Sequence, residues 1–571
     1  MHKIAQKYSI FLCFSALALL GLLGSACGSN AQMAQKTSGI MAPASQQVFR
    51  WGILGSTDFT TLDPALATDS TDVAAIQTLF TGLVQFNDKG EIKPQLAQSY
   101  QVSPDGLMYT FKLRLNLRFS DGTPLTASDV AYSINRTLDP KLQSPVSAYL
   151  SLVKDADAMV SGKIKTLVND SLIVRDPQTI SIAIRQPVAY FLQTLAYPTS
   201  YVVEKSIVEK YGKSWTDHLD EGGVTGPFKV ARYSHTVGLD LVPNSRYYGT
   251  QPKLKRVEIH MTGQPEAAYN AYLSGQLDYT GIPTGKLDEA MKRPDHVHIP
   301  VLGLRMIQMN YLAKPFDNVK VRQAFDLALN RDLLARTLFR DQVIPSNRFV
   351  PAGMYGASPT EIKGPDGTTG TAGNAALARK LLQEGLKEDG YSSVAALPTI
   401  TFTEANATNS LKRANALIDQ WKTVLGVNIK LNTVDTQTYS KLLYSNAGKA
   451  TLQMWDYAWQ ADFPDPHDWL NVFFGKGELQ NSTNYGQNNS PTAKEQQAVQ
   501  AELQKADYIL DKGARAKKYN ELEQKLSSES AWIPLYQTTA DVMLSPHVHG
   551  YINDPLGVVD PEDWGDIYIT R

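Results

Sequence analysis

The stretch FSDGTPLTASDV, residues 119–130, holds the clearest local structural signals in the chain. Asp121 and Gly122 favour a tight turn, because an Asp side chain bonds nearby backbone amides and Gly accepts a positive φ. Four residues later, Thr126 is a suitable N-cap for a helix. Asp129 then lies in the first helical turn, where a carboxylate interacts favourably with the helix dipole. The segment therefore predicts a turn followed directly by a helix.

On both sides of this segment, the apolar pattern alternates between the periods of strands and of helices. Such alternation predicts mixed α/β lobes. The pattern predicts strands at 48–54, 109–115, 172–174, 179–184, 301–307 and 452–457, and a helix at 71–86.

The composition is that of a large globular protein. The chain has 571 residues, with 43% hydrophobic and 19% charged residues, and its length suggests roughly four domain-sized units. Lys+Arg is 55 and Asp+Glu is 56, a formal net charge of −1. This balance gives no general electrostatic case for binding nucleic acid or anionic membranes. With only 2 cysteines, a disulfide framework, an Fe–S cluster and a multi-cysteine zinc site are excluded.

The N-terminus predicts export from the cytoplasm. Lys3 and Lys7 precede the apolar run 10–23, which is too short for an ordinary transmembrane helix and suits a signal-peptide core. The small residues 24–26 before Cys27 resemble the cleavage site of a bacterial lipoprotein, which implies a signal peptide at 1–26 and lipidation of Cys27. Gly24 departs from that pattern, which prefers Leu there, so an ordinary secretory signal with a chance cysteine is the alternative.

Residues 27–47 are rich in Ser, Ala, Gln and Gly and lack periodicity. They predict a flexible tether between the anchor and the folded protein. No second apolar stretch of 18 residues follows, so the remaining chain is predicted to stay in water.

Several blocks, in order along residues 50–537, resemble the extracytoplasmic solute-binding proteins of family 5, which serve dipeptide and oligopeptide ABC importers. The turn–helix segment is the most specific of the early blocks. The others are Thr61–Ala65, Leu79–Phe86, Pro94–Tyr100, Ser103–Gly106, Thr225–Phe228, Asn244–Tyr248, Gly275–Asp278, Met309–Asn310, Pro315–Phe325, Trp459–Pro466 and Trp532–Tyr536.

This resemblance implies an α/β, two-lobed periplasmic-binding-protein-like fold (type II, cluster C-like) with an extra subdomain in lobe I. Lobe I would comprise 48–304 plus 530–571, with the extra subdomain at about 86–210, and lobe II would comprise 305–529. Segments 301–307 and 531–536 are the predicted crossing points between the lobes. Closure of the lobes around a ligand is the motion expected of this architecture.

The resemblance also implies ligand-binding residues. Asp462 would pair with the α-ammonium group of a peptide, because an enclosed cation needs a fixed carboxylate. Trp459 would form an aromatic wall, and the main chain at Phe59 would bond an extended peptide as in strand addition. The structural alternatives are that Asp462 caps a turn beside Pro464, and that Trp459 and Phe59 belong to the core.

Asp456 departs from the family pattern, since some oligopeptide binders carry Arg six residues before the motif Asp. A carboxylate facing the cleft would disfavour anions and favour a basic side chain. A solvent-exposed Asp456, or one paired with a nearby Lys, is the alternative. Arg348 and Arg413 are candidates for the partner of a ligand carboxylate by charge alone.

The resemblance therefore implies the substrate-binding component of an ABC importer. Such a protein would be lipid-anchored, extracytoplasmic and monomeric, would capture a peptide or similar cationic solute, and would deliver it to membrane permease subunits. It would use no cofactor or metal and bind no nucleic acid. The sequence contains no Gly-x-Ser-x-Gly elbow, His-Glu-x-x-His motif or phosphate-binding loop, which disfavours an enzyme.

Other functions within the same fold stay open. An oligosaccharide, a nickel ion or another metal chelate could replace the peptide, and the protein could be a sensor without transport. His296 and His298, and likewise His547 and His549, have the i, i+2 spacing of weak metal-site candidates.

Overall fold

The computed structural model describes residues 39–443, 445–478, 480–552 and 556–571. The predicted signal peptide, Cys27 and residues 27–38 of the predicted tether lie outside the described residues. Within the described residues, no helix is both long and apolar enough to cross a membrane.

The strands are β1 (Val48–Leu54), β2 (Val84–Phe86), β3 (Ile92–Pro94), β4 (Ala97–Val102), β5 (Met108–Leu113), β6 (Leu172–Asp176), β7 (Thr179–Ala183), β8 (Phe228–Ser234), β9 (Gly238–Pro243), β10 (Arg256–Thr262), β11 (Tyr279–Gly281), β12 (His296–Met309), β13 (Ile344–Pro345), β14 (Ile400–Ala405), β15 (Ile429–Val434), β16 (Met454–Gln460), β17 (Ile533–Leu544), β18 (Val548–His549) and β19 (Tyr568–Ile569).

The helices are α1 (Ser70–Leu79), α2 (Ala127–Thr137), α3 (Ala156–Val160), α4 (Phe191–Ala196), α5 (Lys205–Tyr211), α6 (Pro265–Leu273), α7 (Leu287–Ala290), α8 (Val319–Leu327), α9 (Arg331–Phe339), α10 (Ala375–Glu388), α11 (Thr408–Leu425), α12 (Thr436–Leu443), α13 (Asn446–Thr451), α14 (His467–Phe474), α15 (Ala493–Asp507) and α16 (Lys512–Ser528).

The turn and helix predicted at 119–130 are confirmed. The Asp121 side chain accepts a hydrogen bond from the Thr123 amide at 2.8 Å, and Gly122 has a φ of 104°. The Thr126 amide donates to the Asp129 carboxylate at 2.8 Å, which completes a capping box at the start of α2. The turn and the Thr126 N-cap are local in sequence and were predicted from residue types, whereas the bond to the Asp129 carboxylate was not.

The helix predicted at 71–86 is wrong beyond residue 79. Helix α1 ends at Leu79, and residues 84–86 instead form β2, which pairs antiparallel with β3. The Thr81 amide donates to the Thr225 hydroxyl at 2.8 Å, far away in sequence. This long-range contact holds the chain in an extended path that the apolar periodicity did not reveal.

One large mixed sheet runs through the molecule. Among the described residues, an 11-stranded sheet has the order β15-β14-β16-β12-β17-β11-β1-β10-β9-β8, with β13 beside β17. Strands β12 and β17 are 14 and 12 residues long and lie between the N-terminal and C-terminal halves of this sheet. Both segments predicted as crossing points overlap these two strands.

The two crossing strands pack tightly at Gly303. Their antiparallel register shifts between Pro300 and Leu304, and a Cβ atom on Gly303 would lie 2.3 Å from Thr538 Oγ1. A larger residue here would require the Thr538 side chain to move.

A second, four-stranded sheet has the order β4-β5-β7-β6 and shares a separate hydrophobic core with α2 and α4. It lies inside the range 86–210 given for the extra subdomain; the lobe and subdomain boundaries themselves stay predictions.

The folded body begins within the range predicted as tether. Met41 forms a bridge with Thr570, and the Ala42 amide donates to the Ile569 carbonyl at 2.9 Å. The buried Gln47 side chain donates to the carbonyls of Ala42 and Ile569, both at 2.8 Å. Residues 41–47 are therefore fixed to the C-terminal strand, because their backbone groups have partners there.

Candidate functional site

Two adjoining cavities lie between the halves of the large sheet. The larger, of about 660 Å³, is lined by β1, the crossing strands, residues 458–460 of β16, and residues 556–558. The smaller, of about 360 Å³, is lined by α1, residues 196–198, residues 460–462, and Leu556 and Val558. Ser70, Gln460, Leu556 and Val558 line both. A cleft of this size with walls from both halves is a typical ligand site.

Trp459 and Asp462 line this cleft at the end of β16. Trp459 faces the larger cavity and packs edge-on against Phe473 at 5.4 Å between centroids. Asp462 faces the smaller cavity. The Trp459 indole and the Asp462 amide both donate to Asp468 Oδ2, at 3.2 and 2.9 Å. Asp468, near the start of α14, therefore fixes the positions of both.

The electrostatic environment of Asp462 lacks a protein cation. Burial raises the pKa of its carboxyl to about 6, while a hydrogen bond from Tyr149 acts to lower the pKa. Among the described residues, no Arg, Lys or His contributes to this balance. Burial and the neighbouring Asp462 carboxylate raise the pKa of Asp468 well above its usual range. A ligand cation beside these two carboxyl groups would stabilise their charged forms and lower their pKa values.

Tyr149 reaches Asp462 from the region of the four-stranded sheet. Its ring stacks on Tyr197 with 4.3 Å between centroids, and Tyr197 lines the smaller cavity. Sequence analysis missed Tyr149, Tyr197 and Asp468. The regular spacing of Asp462, Asp465 and Asp468 was a usable signal for Asp468, whereas the tyrosines approach only through the fold.

Phe59 does not line either cavity. Its side chain is 6% exposed and packs against Tyr233 at 6.2 Å between centroids. Its amide donates to the side chain of Asp58 at 2.8 Å. The nearby chain that does face the cleft is 68–71, at the start of α1. The Phe59 side chain thus belongs to the core, and the main-chain role given to this residue stays a prediction.

Asp456 is also outside the two cavities. It is buried, and it accepts hydrogen bonds from Arg305 Nε at 2.7 Å and from Arg413 Nε. Although burial acts to raise it, Arg305 and Arg413 hold the pKa of Asp456 below its usual value. Glu404 Oε2 lies 3.7 Å from Arg413 Nη2. Burial, and to a smaller extent the charge of Asp456, raise the pKa of Glu404 to about 8. Asp456 was expected to face the cleft, to be exposed to solvent or to pair with a lysine. Its buried carboxylate instead neutralises Arg305 and Arg413.

The arginines proposed for a ligand carboxylate are occupied within the protein. Arg413 is bound to Asp456 as described. Arg348 donates to the carbonyls of Ser358 and Thr360, at 3.1 and 3.0 Å. Neither lines either of the two cavities described above. Arg305, which sequence analysis missed, pairs in register with the cleft residue Ala458.

Three of the four paired histidines form side-chain hydrogen bonds within the fold. His296 and His298 both bond Asp541 Oδ1, at 2.8 and 2.9 Å, and His549 bonds the Thr570 hydroxyl at 3.0 Å. In the part of the chain that the structure describes, no group of three or more His, Cys, Asp or Glu residues is arranged to hold a metal ion.

Comparison with known proteins gives consistent matches. The model of "Bacterial extracellular solute-binding proteins, family 5 Middle" matches residues 91–481. Oligopeptide-binding protein OppA of Bacillus subtilis (strain 168) is 28% identical over 507 residues, which cover 87% of this chain and 89% of OppA. The probable deoxycholate-binding periplasmic protein YgiS of Escherichia coli (strain K12) is 28% identical over 529 residues, covering 91% and 92%.

A solved structure of the periplasmic murein tripeptide binding protein MppA, in its unliganded open form, superposes with a TM-score of 0.77 at 27% identity. The superposition covers 93% of this chain and 99% of the MppA chain. The predicted α/β, two-lobed fold is confirmed by this match.

Proposed function

The chain belongs to family 5 of the bacterial extracellular solute-binding proteins, and from this membership we propose that it captures peptides, or a similar cationic solute, between its two lobes. The observation that carries the proposal is Asp462, a carboxylate facing the cleft without a protein cation beside it. The name of the relative OppA, an oligopeptide-binding protein, supports the same class of ligand.

In this proposal, Asp462 binds the α-ammonium group of the ligand. The Tyr149 hydroxyl donates to the carboxylate, so its oxygen is able to accept a hydrogen bond from the ammonium. Asp468 holds Asp462 and Trp459 in place through their N–H groups. A charge-assisted bond in a desolvated site fixes which end of the ligand enters first.

An edge of β16 supplies backbone groups for an extended ligand. Among the described residues, β14 pairs with β16 only at Met454 and Trp455. Residues 458–460 pair with β12 on one side, and their other side faces the cleft. Main-chain hydrogen bonds at such an edge give affinity without requiring a particular side chain.

We further propose that Cys27 carries the lipid anchor, that the protein is monomeric and extracytoplasmic, and that it delivers its ligand to ABC permease subunits without transforming it. Membership of a family of binding proteins supports this role. Because the relative YgiS is named for deoxycholate, a bile acid is tested beside the peptides. An oligosaccharide and a nickel chelate are tested as well.

The test is calorimetric titration of residues 28–571 with a di- to pentapeptide library and with N-acetylated copies. We expect free peptides to bind, and acetylation or Asp462→Asn to weaken binding about 100-fold or more, because a buried charge-assisted bond is lost. Asp511→Asn, at a helix cap away from the cleft, is the matched control. Thermal unfolding verifies that Asp462→Asn folds; since burial raises the pKa of Asp462, an amide there does not lower stability at pH 7.

Binding of an oligosaccharide, a bile acid or a nickel chelate but no peptide would overturn the proposed ligand class. Peptide binding that acetylation does not affect would overturn the role of Asp462.

A further inference from the structure

The larger cavity is lined by neutral side chains, many of them apolar. Its aromatic and aliphatic lining includes Trp51, Ile53, Tyr279, Val301, Trp459 and Leu556. The described residues that line it include no Asp, Glu, Lys, Arg or His, whereas Asp69 and Asp462 line the smaller cavity. The two adjoining cavities therefore differ in charge, and a cationic ligand group meets a described carboxylate in the smaller one.

Three aromatic side chains of the larger cavity are held in place by packing and remain partly exposed. Trp51 and Tyr279 pack edge-on against each other with 6.1 Å between centroids, and both pack against the hydrophobic core beside α1. Trp459 packs against Phe473 and a second core on the opposite side of the cleft. All three residues are partly exposed. A ligand group that covers this apolar surface gains free energy, because water is removed from it.

These aromatic walls belong to different halves of the large sheet. Trp51 and Tyr279 lie on β1 and β11, whereas Trp459 lies on β16, beyond the two crossing strands. A volume of about 660 Å³ lies within the range of small-molecule sites, so the largest side chains fit. An apolar group enclosed there is stabilised by burial, whereas a charged group loses its hydration without gaining a described counter-ion.

The larger cavity lies directly beside the proposed ammonium anchor. The Trp459 indole and the Asp462 amide donate to the same atom, Asp468 Oδ2, so the ring and the anchor are held together. Ser70 and Gln460 line both cavities, which makes the space continuous. An extended peptide advances about 3.3 Å per residue and directs successive side chains to opposite sides. A side chain close to the α-ammonium group therefore reaches the larger cavity.

We propose that the larger cavity binds a large apolar side chain, aromatic or aliphatic, from one of the first three residues of the peptide, so that the protein selects hydrophobic peptides. Trp51 and Trp459 determine this selectivity from opposite walls. The inference rests on the proposed function, because Asp462 as the ammonium anchor places the peptide beside this cavity.

The test uses three series of tripeptides, in which a varied residue X occupies the first, second or third position and the other two residues are Ala. Calorimetry at pH 7.5 compares X as Phe, Leu, Asn, Ala, Lys and Glu; Leu and Asn have similar size but differ in polarity. At one position or more, we expect Phe and Leu to bind about tenfold or more tightly than Asn and Ala. Lys and Glu at that position should bind no more tightly than Ala. The heat-capacity change on binding should be more negative for Phe than for Ala, as apolar burial requires.

Trp51→Ala removes one aromatic wall. The preference for Phe over Ala should then fall at least about threefold, while the affinity for Ala-Ala-Ala stays within about twofold of its original value. Tyr100→Ala is the matched control, because Tyr100 is a partly buried aromatic residue of β4 that lines neither cavity. Thermal unfolding verifies that both variants fold.

Ala74→Glu tests the neutral lining without removing a large side chain. Ala74 lies on α1, lines the larger cavity and is partly exposed. The added carboxylate should weaken the preference for Phe and should strengthen binding of the corresponding Lys peptide about tenfold, as one charged hydrogen bond predicts. Ala416→Glu, at a partly buried helical alanine that lines neither cavity, is the control and should leave every preference unchanged.

The inference would be overturned if no position favoured Phe and Leu over Asn and Ala, with peptide capture left intact. Preferences that stay unchanged in both Trp51→Ala and Ala74→Glu would also overturn it, because the apolar side chain would then bind elsewhere. Failure of every peptide to bind would instead overturn the proposed function itself.

Discussion

Asp462 has a carboxyl group whose pKa, about 6, lies within the range of ordinary binding assays. The shift arises chiefly from burial, and Tyr149 offsets it only in part. In the proposed function, this single residue makes ligand capture sensitive to pH, and the direction of the effect follows from the charge that the ligand needs.

We expect peptide affinity to be constant near pH 7 and to fall below pH 6. Protonation of Asp462 competes with the ammonium, so the dissociation constant should rise by about tenfold for each pH unit below the pKa. Affinity should also decline above about pH 8, where the α-amino group of the peptide loses its proton. Calorimetry from pH 5 to 9 measures both limbs.

The control for this pH profile is Asp462→Asn, which should bind weakly and show no acidic limb. An acidic limb of equal size in that variant would assign the pH dependence to another group.

Asp456 is a buried residue whose contribution is structural. We expect Asp456→Asn to lower the free energy of unfolding by about 3 kcal/mol, because Arg305 and Arg413 lose their shared counter-ion. Ionisation of Glu404, whose pKa is about 8 beside Asp456, limits the loss. Denaturant unfolding at pH 7 gives the value.

The matched variant is Asp419→Asn, an exposed residue on the same helix as Arg413, which should change the free energy of unfolding by less than about 0.5 kcal/mol. Equal stability of the two variants would contradict the structural role of Asp456.

Among the elements, the two crossing strands leave little room for added volume at Gly303. We expect Gly303→Ala to destabilise the protein by about 1–3 kcal/mol, because the new methyl group would meet Thr538 Oγ1 at 2.3 Å. The double variant Gly303→Ala/Thr538→Ala should recover much of this loss, since it removes that oxygen. Denaturant unfolding of the two single variants and the double variant checks the expectation.

Additive effects of the two substitutions would show that the contact with Thr538 does not limit the strand approach at Gly303.

The elements also show where sequence reasoning succeeds. The turn at Asp121 and Gly122 and the Thr126 N-cap of α2 depend on neighbouring residues, and both were predicted. The end of α1 depends on Thr225, a distant partner, and was not. Asp456 was misjudged for the same reason, because its arginines come from β12 and α11.

At the scale of the whole molecule, the candidate site combines segments that only the fold brings together. Trp459 and Asp462 were found because they belong to one compact motif. Tyr149 belongs to the region of the four-stranded sheet and contacts Asp462 across the cleft. No local pattern marks such a residue.

The pairing of residues 41–47 with the C-terminal strand has a practical consequence. Because Met41 and Thr570 are bridge partners, a short linker joining the two termini of the folded body would span little distance. New termini opened in an exposed loop would then give a circular permutant with an unchanged core. The order in which the two halves of the large sheet leave the ribosome could thus be altered, which makes this protein suitable for asking whether the N-terminal half must be synthesised first.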